Sequence, residues 1–301
     1  MRMHDDQLKV TTQDVAGLVA AQFPQWRHLP VTPVTSHGTV HLLFRLGDDL
    51  VARLPMQLGD TETVYAALAA EQHAARLLLG RVPVATPEPV VMGAPGPGYP
   101  LPWAVFRWLP GTLAHDVPDA AASPGLGEDL AEFVVAVRAL STDGRTFDRD
   151  GRGGRLTALD DYVHRGLARD TTPFDAAPLG ALWSRLRSTP RDEPDVMTHG
   201  DLMPGNLLLT DGRLAAVLDV GMLGPADPAL DLIVAWNLLT GAAREAFRAG
   251  LDTGDHEWDR GKAWAFVQAL GCLDYYRVTN PVMSQTAVHT LAALLGDEDA
   301  R

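Results

Sequence analysis

The stretch from 199 to 206 reads His199-Gly200-Asp201-Leu202-Met203-Pro204-Gly205-Asn206, and Leu218-Asp219-Val220-Gly221 follows shortly after it. Two short apolar runs, 206–209 and 213–218, lie between the two motifs, and the triplet Thr210-Asp211-Gly212 separates them. Apolar runs divided by such a triplet are typical of a β hairpin. The sequence therefore predicts polar side chains on turns beside apolar strands.

These polar residues match the needs of phosphoryl transfer, which asks a protein for in-line positioning and for neutralisation of developing charge. Asp201 can accept the proton of an attacking hydroxyl, while Asn206 and Asp219 offer hard oxygen ligands suited to Mg²⁺. Any one of these residues alone would be explained as a turn cap. Their joint spacing favours a catalytic site.

Composition sets the class of protein. The 301 residues are 46% hydrophobic and 21% charged, which predicts a soluble bilobal globule. The net charge of −13 argues against nucleic acid as a partner; it makes a cationic partner plausible, or serves solubility alone. The sequence shows neither a membrane-spanning apolar run nor a secretory segment, so no membrane partner and a cytoplasmic location are expected. The single cysteine, Cys272, excludes an intrachain disulfide and fits a reducing compartment.

The first part of the chain predicts a small antiparallel sheet with helices. Apolar periodicity favours helices over 13–23 and 62–79, and β-type runs occupy 40–46, 50–54, 89–92 and 103–109. Pro110 and Gly111 end this pattern sharply. We therefore expect one lobe over residues 1–109.

The remainder, 110–301, predicts a larger and mainly helical lobe that contains the β hairpin. The helical segments are 126–140, 158–168, 179–187, 229–239, 242–249, 258–277 and 282–295. The Gly- and Arg-rich stretch 141–155 is interpreted as a surface loop. The predicted fold class is α+β.

The motifs resemble the catalytic and metal-binding loops of the aminoglycoside phosphotransferase family, relatives of protein kinases that phosphorylate small hydroxylated molecules. The family form is His-Gly-Asp-x-x-x-x-Asn followed by Ile-Asp-Phe/Trp, and this chain departs from it at Val220. The resemblance implies a bilobal protein-kinase-like fold, with Asp201 as catalytic base and Asn206 and Asp219 as ligands of Mg²⁺. It implies that His199 braces the loop.

A second family motif is similar to Asp227-Pro228-Ala229-Leu230-Asp231-Leu232. By this resemblance Asp227 and Asp231 cap a helix and fix the catalytic loop from behind. Both are interpreted as structural.

The resemblance also reaches the first lobe, where Arg53 stands at the strand position that grips the α- and β-phosphates and Glu71 is its expected ion-pair partner. Many family members have lysine there, whereas this chain has lysine only at positions 9 and 262. Macrolide-phosphorylating relatives carry a similar Arg-Leu/Ile-Pro. The alternative for Arg53 is an ordinary surface arginine on a strand.

Two further nucleotide contacts are expected from their positions relative to the other family motifs along the chain. Ser36 and Gly38, within Ser36-His37-Gly38-Thr39, are expected in a loop over the phosphates. Arg107, Trp108 and Leu109 occupy the hinge, whose backbone binds the base of the nucleotide in the family.

The implied function is transfer of the γ-phosphate of ATP, or of GTP, to a hydroxyl of an aminoglycoside-like antibiotic or related metabolite. The alternatives are a macrolide or other metabolite kinase and a non-catalytic nucleotide-binding scaffold. A protein kinase is disfavoured because Asp219 and Asp227 are only eight positions apart, which leaves no room for a protein-substrate platform. The sequence leaves open the oligomeric state and whether the role is resistance or metabolism.

The helices after Asp231 are expected to shape the acceptor pocket. They contain a mixture of acidic and aromatic residues that would suit a cationic acceptor or form an ordinary solvated acidic face: Trp236, Asp252, Asp255, Glu257, Asp259, Asp274, Tyr275 and Tyr276. The solvated face is the favoured interpretation.

Overall fold

The computed structural model describes residues 7–36, 38, 40–169 and 173–299. His37 and Thr39 of the predicted phosphate loop lie outside the described residues. The chain forms two compact units: the first comprises Met1–Gly80, Ala85–Pro110 and Leu218–Gly221, and the second comprises the rest. Within the described part of the chain, no helix has the length and apolar character needed to cross a membrane.

The first unit is built on an antiparallel sheet of five strands, in the order β1-β2-β3-β5-β4. The strands are β1 (Val31–Val34), β2 (His41–Leu46), β3 (Leu50–Pro55), β4 (Pro89–Gly93) and β5 (Trp103–Arg107). Gly47 turns β2 into β3 with a φ of +60°, a backbone conformation that glycine adopts without steric cost. The β-type runs predicted over 40–46 and 50–54 are thereby confirmed as an antiparallel pair.

Two helices complete the first unit, α1 (Thr12–Gln22) and α2 (Thr61–Leu78). Local capping fixes where they begin. The Thr11 hydroxyl accepts from the backbone N–H of Asp14 while the Asp14 carboxylate accepts from that of Thr11, and the Asp60 carboxylate accepts from the N–H of Thr63. Both predicted helices are confirmed.

Alternation along β3 separates the core from the functional face. Leu50, Ala52 and Leu54 are buried in the apolar core with Trp103 of β5. Because successive side chains of a strand point to opposite faces, Arg53 lies on the other face of the sheet.

The second unit is mainly helical. Its helices are α3 (Pro124–Arg138), α4 (Asp160–Leu167), α5 (Ala176–Leu186), α6 (Val234–Asn237), α7 (Gly241–Leu251), α8 (Asp255–Tyr276) and α9 (Pro281–Asp299). Its strands are β6 (Thr112–Leu113), β7 (Val196–Thr198), β8 (Leu207–Thr210), β9 (Arg213–Val217) and β10 (Gly224–Ala226). They form a β6-β8-β9 sheet and a β7-β10 pair, both antiparallel. The predicted hairpin is the β8-β9 pair.

Helix α8 contains a long buried stretch. From 260 to 270 every residue is buried, as expected for a helix in the interior of a large domain. This buried stretch includes three polar side chains, Arg260, Lys262 and Gln268. A buried polar group needs a partner, so these residues mark polar contacts inside the second unit.

The prediction of one continuous helix over 229–239 was wrong. The chain instead forms a 3₁₀ helix over Pro228–Ile233 and a single α-helical turn over Val234–Asn237. All ten of these residues are buried, so contacts on every side override the apolar periodicity from which the longer helix was inferred. The strands β6, β7 and β10, of two or three residues each, are too short to give a periodic signal.

Candidate active site

Arg53 lies in the first unit with three partners. Its Nη1 donates to Glu71 Oε1 of α2, its Nη2 lies 3.2 Å from His41 Nδ1 of β2, and its guanidinium stands 5.2 Å above the centroid of the Phe106 ring. Only 13% of the Arg53 side chain and 8% of the Glu71 side chain are exposed. The structure thus brings Arg53 and Glu71 together and gives Arg53 a fixed orientation, unlike an ordinary surface arginine.

His41 was missed by the sequence reasoning. Burial, and next the positive charge of Arg53, holds the pKa of His41 well below its ordinary value, so the imidazole is neutral. Because Arg53 donates to its Nδ1, the ring proton sits on Nε2. A histidine on the predicted strand next to the one that carries Arg53 was the signal available in the sequence.

The Asp219 carboxylate, which belongs to the same unit, also affects the pKa of Glu71. Burial raises the pKa of Glu71; Arg53 opposes the rise, and the Asp219 carboxylate adds to it. Asp219 has a φ of +53°, an uncommon backbone conformation for a residue other than glycine, in which Asp is nevertheless enriched. Such residues concentrate at functional sites.

The predicted loop and hinge residues also lie in the first unit. The Gly38 N–H donates to the Ser36 hydroxyl at 2.9 Å. In the hinge, the N–H of Arg107 donates to Glu88 O and that of Trp108 donates to Asp49 O. Two of the three predicted hinge N–H groups are therefore engaged by backbone oxygens of the same unit.

Asp201 lies in the second unit and accepts three side-chain hydrogen bonds. Its Oδ1 receives Arg152 Nη2 at 2.9 Å and Gln268 Nε2 at 2.8 Å, and its Oδ2 receives Asn206 Nδ2 at 3.2 Å. Twenty-seven per cent of the Asp201 side chain is exposed. The carboxylate is thus held in a fixed orientation and remains accessible to a ligand.

Asn206 is oriented by the same loop. Its Nδ2 donates to the backbone oxygen of Asp201 at 2.9 Å as well as to the carboxylate. Its Oδ1 is therefore the side-chain atom left for a cation, which is the hard donor that Mg²⁺ prefers. Among the described residues no group of three or more His, Cys, Asp or Glu could hold a metal ion.

The loop over residues 199–206 is held at its start by Asp231. Its fully buried carboxylate accepts the backbone N–H groups of His199 at 2.7 Å and Gly200 at 2.8 Å. Burial raises the pKa of Asp231, although the His199 imidazole and the two amides oppose the rise. The His199 ring nitrogen Nδ1 accepts the N–H of Asp201 at 3.3 Å. Asp231 thus binds the first two backbone N–H groups of the His-Gly-Asp turn, and the His199 ring binds the third.

Asp227 fixes a second connection. Its carboxylate caps Ala229, accepts the Arg260 guanidinium at 3.1 Å and accepts Trp264 Nε1 at 3.1 Å, and its own N–H donates to Gly153 O at 2.8 Å. Sequence reasoning missed Arg260, since its charge in an apolar helix was the only available signal.

The stretch 141–155 is therefore more than a surface loop. Arg152 reaches Asp201, and Gly153 is bound to Asp227. The interpretation as a plain surface loop was wrong for this end of the stretch because composition does not reveal that its Arg and Gly residues have buried partners. Gln268 of α8 was also missed, because the sequence does not reveal that its side chain contacts Asp201.

The acidic residues of the C-terminal helices are largely paired. Four carboxylates contact basic partners: Asp255 with Arg248, Glu257 with Arg138, Asp259 with Lys262 and Asp274 with Arg169. Trp236 is fully buried, and its Nε1 donates to Asp297. The four carboxylates are therefore ion-pair partners, and those of Glu257 and Asp259 are only 13% and 19% exposed, so these two do not belong to the solvated acidic face that was the favoured interpretation.

Comparison with known proteins places the chain in a family. A family model described as the phosphotransferase enzyme family matches residues 33–269. An aminoglycoside 3′-phosphotransferase of Escherichia coli is 30% identical over 144 residues, which are 46% of this chain and 52% of that protein. The corresponding enzyme of Streptomyces fradiae is 32% identical over 143 residues, 44% of this chain and 52% of that protein. The chain thus spans about half the length of the curated relatives it matches.

Solved structures share the fold. The GDP complex of aminoglycoside 2′-phosphotransferase IIIa superposes with a TM-score of 0.73 at 18% identity, covering 95% of this chain and 99% of that one. The macrolide 2′-phosphotransferase of Brachybacterium faecium gives 0.62 at 20% identity, covering 92% and 97%. These likenesses confirm the α+β fold shared with such enzymes. Because the family model covers well over half of its length, the chain belongs to the phosphotransferase enzyme family.

Proposed function

We propose that the protein is a small-molecule kinase that transfers the γ-phosphate of a nucleoside triphosphate to a hydroxyl group. The observation that carries this proposal is the Asp201 carboxylate, which is held by three side-chain donors on a loop tied to the buried Asp231. A carboxylate that is held in a fixed orientation and remains partly exposed is suited to receive a proton from an acceptor hydroxyl.

In the proposed step, one bond to phosphorus forms and another breaks. The acceptor oxygen forms a bond to the γ-phosphorus, its proton passes to Asp201, and the bond from phosphorus to the bridging oxygen breaks. The nucleoside diphosphate leaves with that electron pair. Mg²⁺, when held through Asn206 and Asp219, would neutralise charge on the phosphates.

Residues 1–109 are proposed as the nucleotide-binding lobe and residues 110–301 as the lobe that carries the base. Arg53, fixed by Glu71 and His41, is assigned to the α- and β-phosphates, with Ser36 and Gly38 as the covering loop. ATP is the proposed donor, with GTP as the alternative because one structural neighbour is a GDP complex. Another neighbour is a ternary complex with ATP and streptomycin.

The proposed acceptor is an aminoglycoside-like molecule. Supporting this class, curated relatives are aminoglycoside 3′-phosphotransferases and structural neighbours carry kanamycin or gentamicin. The proposed role is antibiotic resistance in the cytoplasm. Burial raises the pKa of Cys272 to about 12, so its thiol stays protonated and takes no part in the chemistry.

A macrolide is the second candidate acceptor. It is favoured by the paired carboxylates of the C-terminal helices, which leave less negative charge for a polycation, and by the fold likeness to a macrolide 2′-phosphotransferase. A non-catalytic scaffold is less well supported because the base and both candidate metal ligands are present.

A turnover screen tests the proposal. The parent chain and Asp201→Asn would be incubated with MgATP or MgGTP and kanamycin, gentamicin, streptomycin, a macrolide or a plain sugar. Nucleoside diphosphate release and the mass of the acceptor would be followed. We expect phosphorylated aminoglycoside with the parent and none with the variant. Phosphorylation confined to the macrolide would select the second candidate, and nucleotide binding without any transfer would indicate the scaffold.

A further inference from the structure

Asn237 is a buried polar residue that contacts the loop over residues 199–206. It is the last residue of α6, and only 4% of it is exposed. Its Nδ2 donates to Leu202 O at 2.9 Å and lies 3.3 Å from Met203 Sδ. Asn237 therefore binds the middle of the loop, between the proposed base and Asn206.

The backbone oxygens of this loop show why a donor is needed at Leu202. Asp201 O accepts the Met203 N–H and Asn206 Nδ2, each at 2.9 Å, and Met203 O accepts the Asn206 N–H at 2.8 Å. The loop thus satisfies these two oxygens with its own residues. Leu202 is fully buried, and a buried carbonyl needs a partner. Asn237 supplies that partner from another element, which fixes the direction of the peptide group after Leu202.

Asn237 and Asp231 belong to one buried segment, a 3₁₀ helix over Pro228–Ile233 that continues as the α-helical turn Val234–Asn237. In a continuous α-helix, at about 100° per residue, the two side chains would stand about 120° apart around the axis. A 3₁₀ helix turns by about 120° per residue, so the observed winding leaves them only about 60–80° apart. The change of winding therefore brings both side chains to the side on which the loop lies.

The other end of the Asn237 amide argues against a purely structural role. Its Oδ1 is buried and has no hydrogen-bond partner within the part of the chain that the structure describes. A buried acceptor without a partner destabilises the folded state, and an apolar side chain of similar volume would avoid that cost. A polar group kept in this situation indicates a requirement other than stability. The contact of Nδ2 with the loop meets that description.

We propose that Asn237 is a positioning residue, which aligns Asp201 by binding the Leu202 carbonyl and so fixing the loop between Asp201 and Asn206. This inference rests on the proposed function. Asn237 forms and breaks no covalent bond; it acts through the loop backbone, on which the orientation of the base toward an acceptor hydroxyl depends. Asp231 holds the start of the loop and Asn237 holds its middle.

Three variants and one matched control test this role. Asn237→Leu removes the donor at similar volume, Asn237→Ser replaces it by a shorter side chain, and Asn237→Gln keeps an amide donor. The control is Thr290→Val, because Thr290 is also buried in the second unit but donates to Thr286 O within α9.

Three quantities are measured for each variant at a temperature below every thermal midpoint. The first is transfer from MgATP or MgGTP to kanamycin, or to the macrolide where the parent phosphorylates only that. The second is the thermal midpoint itself. The third is hydrogen exchange of the Met203 and Asn206 N–H groups, which bind backbone oxygens of the loop.

We expect Asn237→Leu and Asn237→Ser to lower kcat by about 10², as a small misplacement of a catalytic group does. The KM for nucleotide should change by no more than about threefold, because the candidate phosphate-binding residues lie in the first unit. Exchange of the two loop N–H groups should become about tenfold faster, in line with the loss of one hydrogen bond. Asn237→Gln should recover part of kcat, and Thr290→Val should keep kcat within about threefold of the parent.

The contrary outcomes are distinguishable. If the parent phosphorylates no acceptor of the turnover screen, the proposed function fails and this inference with it. If the parent is active but Asn237→Leu keeps its kcat, the inference alone is overturned. It is also overturned if kcat falls while loop exchange stays at the parent rate, or if Thr290→Val loses as much activity. Asn237→Ser decides the test if Asn237→Leu does not fold; if neither folds, Asn237 is a structural residue and the proposal is wrong.

Discussion

Arg53 in the first unit and Asp201 in the second are both charged groups fixed by side chains, but their partners lie at different distances along the chain. The two hydrogen-bonding partners of Arg53, His41 and Glu71, are 12 and 18 residues away. Of the three side-chain donors to Asp201, Asn206 is five residues away, but Arg152 and Gln268 are 49 and 67 residues away. The phosphate-binding candidate is thus assembled from neighbouring elements, whereas the base depends on remote ones.

This difference shows why one partner could be predicted and the others could not. Adjacent strands and the helix after them meet by necessity, so Glu71 was a natural partner for Arg53. Arg152 and Gln268 reach Asp201 only through the packing of a loop and α8 in the second unit. Four variants, taken from the largest expected free-energy effect to the smallest, would break or sharpen this contrast.

The largest effect is expected for Asp201→Asn. The amide oxygen can still accept from Arg152 and Gln268, so folding is retained, but the amide nitrogen has no lone pair for the proton. We expect kcat to fall by about 10³, the middle of the range for general-base catalysis, with nucleotide affinity nearly unchanged. Steady-state kinetics and nucleotide titration measure the two quantities. A variant that keeps its turnover would remove Asp201 from the role of base.

The second effect is expected for Asp231→Asn, which tests whether one buried group holds the catalytic loop. Its carboxylate accepts two backbone N–H groups, and an amide can accept with only one atom. We expect the free energy of unfolding to fall by about 1–3 kcal/mol, measured by denaturant titration. Asp211→Asn is the matched control, because Asp211 is exposed in the hairpin turn at a φ of +52°, a conformation that Asn tolerates well. Equal losses of unfolding free energy in both variants would contradict the role of Asp231 in holding the loop.

The third effect is expected for Arg53→Ala. Removing the phosphate contact also leaves the buried Glu71 without its cation. We expect the KM for nucleotide to rise by about tenfold, equivalent to about 1.4 kcal/mol, with a smaller change in kcat. Arg27→Ala, at an exposed position in the same unit, should leave both parameters unchanged. An unchanged nucleotide affinity in Arg53→Ala would return Arg53 to a structural strand residue.

The smallest effect is expected for His41→Gln, and it depends on pH. The pKa of His41 is depressed in the folded state, so the unfolded chain binds a proton that the native chain does not. Stability from this group is complete above the ordinary histidine pKa of about 6.5 and is lost as the pH falls below it, by at most about 1.4 kcal/mol per pH unit. Denaturant titrations at several pH values should show a shallower loss in acid for His41→Gln. Identical slopes for parent and variant would contradict a neutral His41 in the folded state.

Much of the fold could be predicted because its signals are local. Caps at Thr11 and Asp60, the Gly47 turn and the alternation along β3 each act over a few residues, and they fix helices and strands that the sequence predicts over 13–23, 40–46, 50–54 and 62–79. The error at 229–239 has the opposite origin. Every residue there is buried, so the local pattern carries little information about which helical geometry the surroundings impose.

The sequence by itself determined the α+β fold class, the family and the set of chemical groups at 199–231, because the spacing of Asp201, Asn206 and Asp219 is written along one short stretch. Only the tertiary structure decided how those groups are held. It buried Asp231 behind the loop, made His41 a neutral partner of Arg53 and brought Arg152 and Gln268 to one oxygen of Asp201. The physical reason is that orientation and burial depend on residues far apart in the chain, and their contacts exist only once the chain has folded.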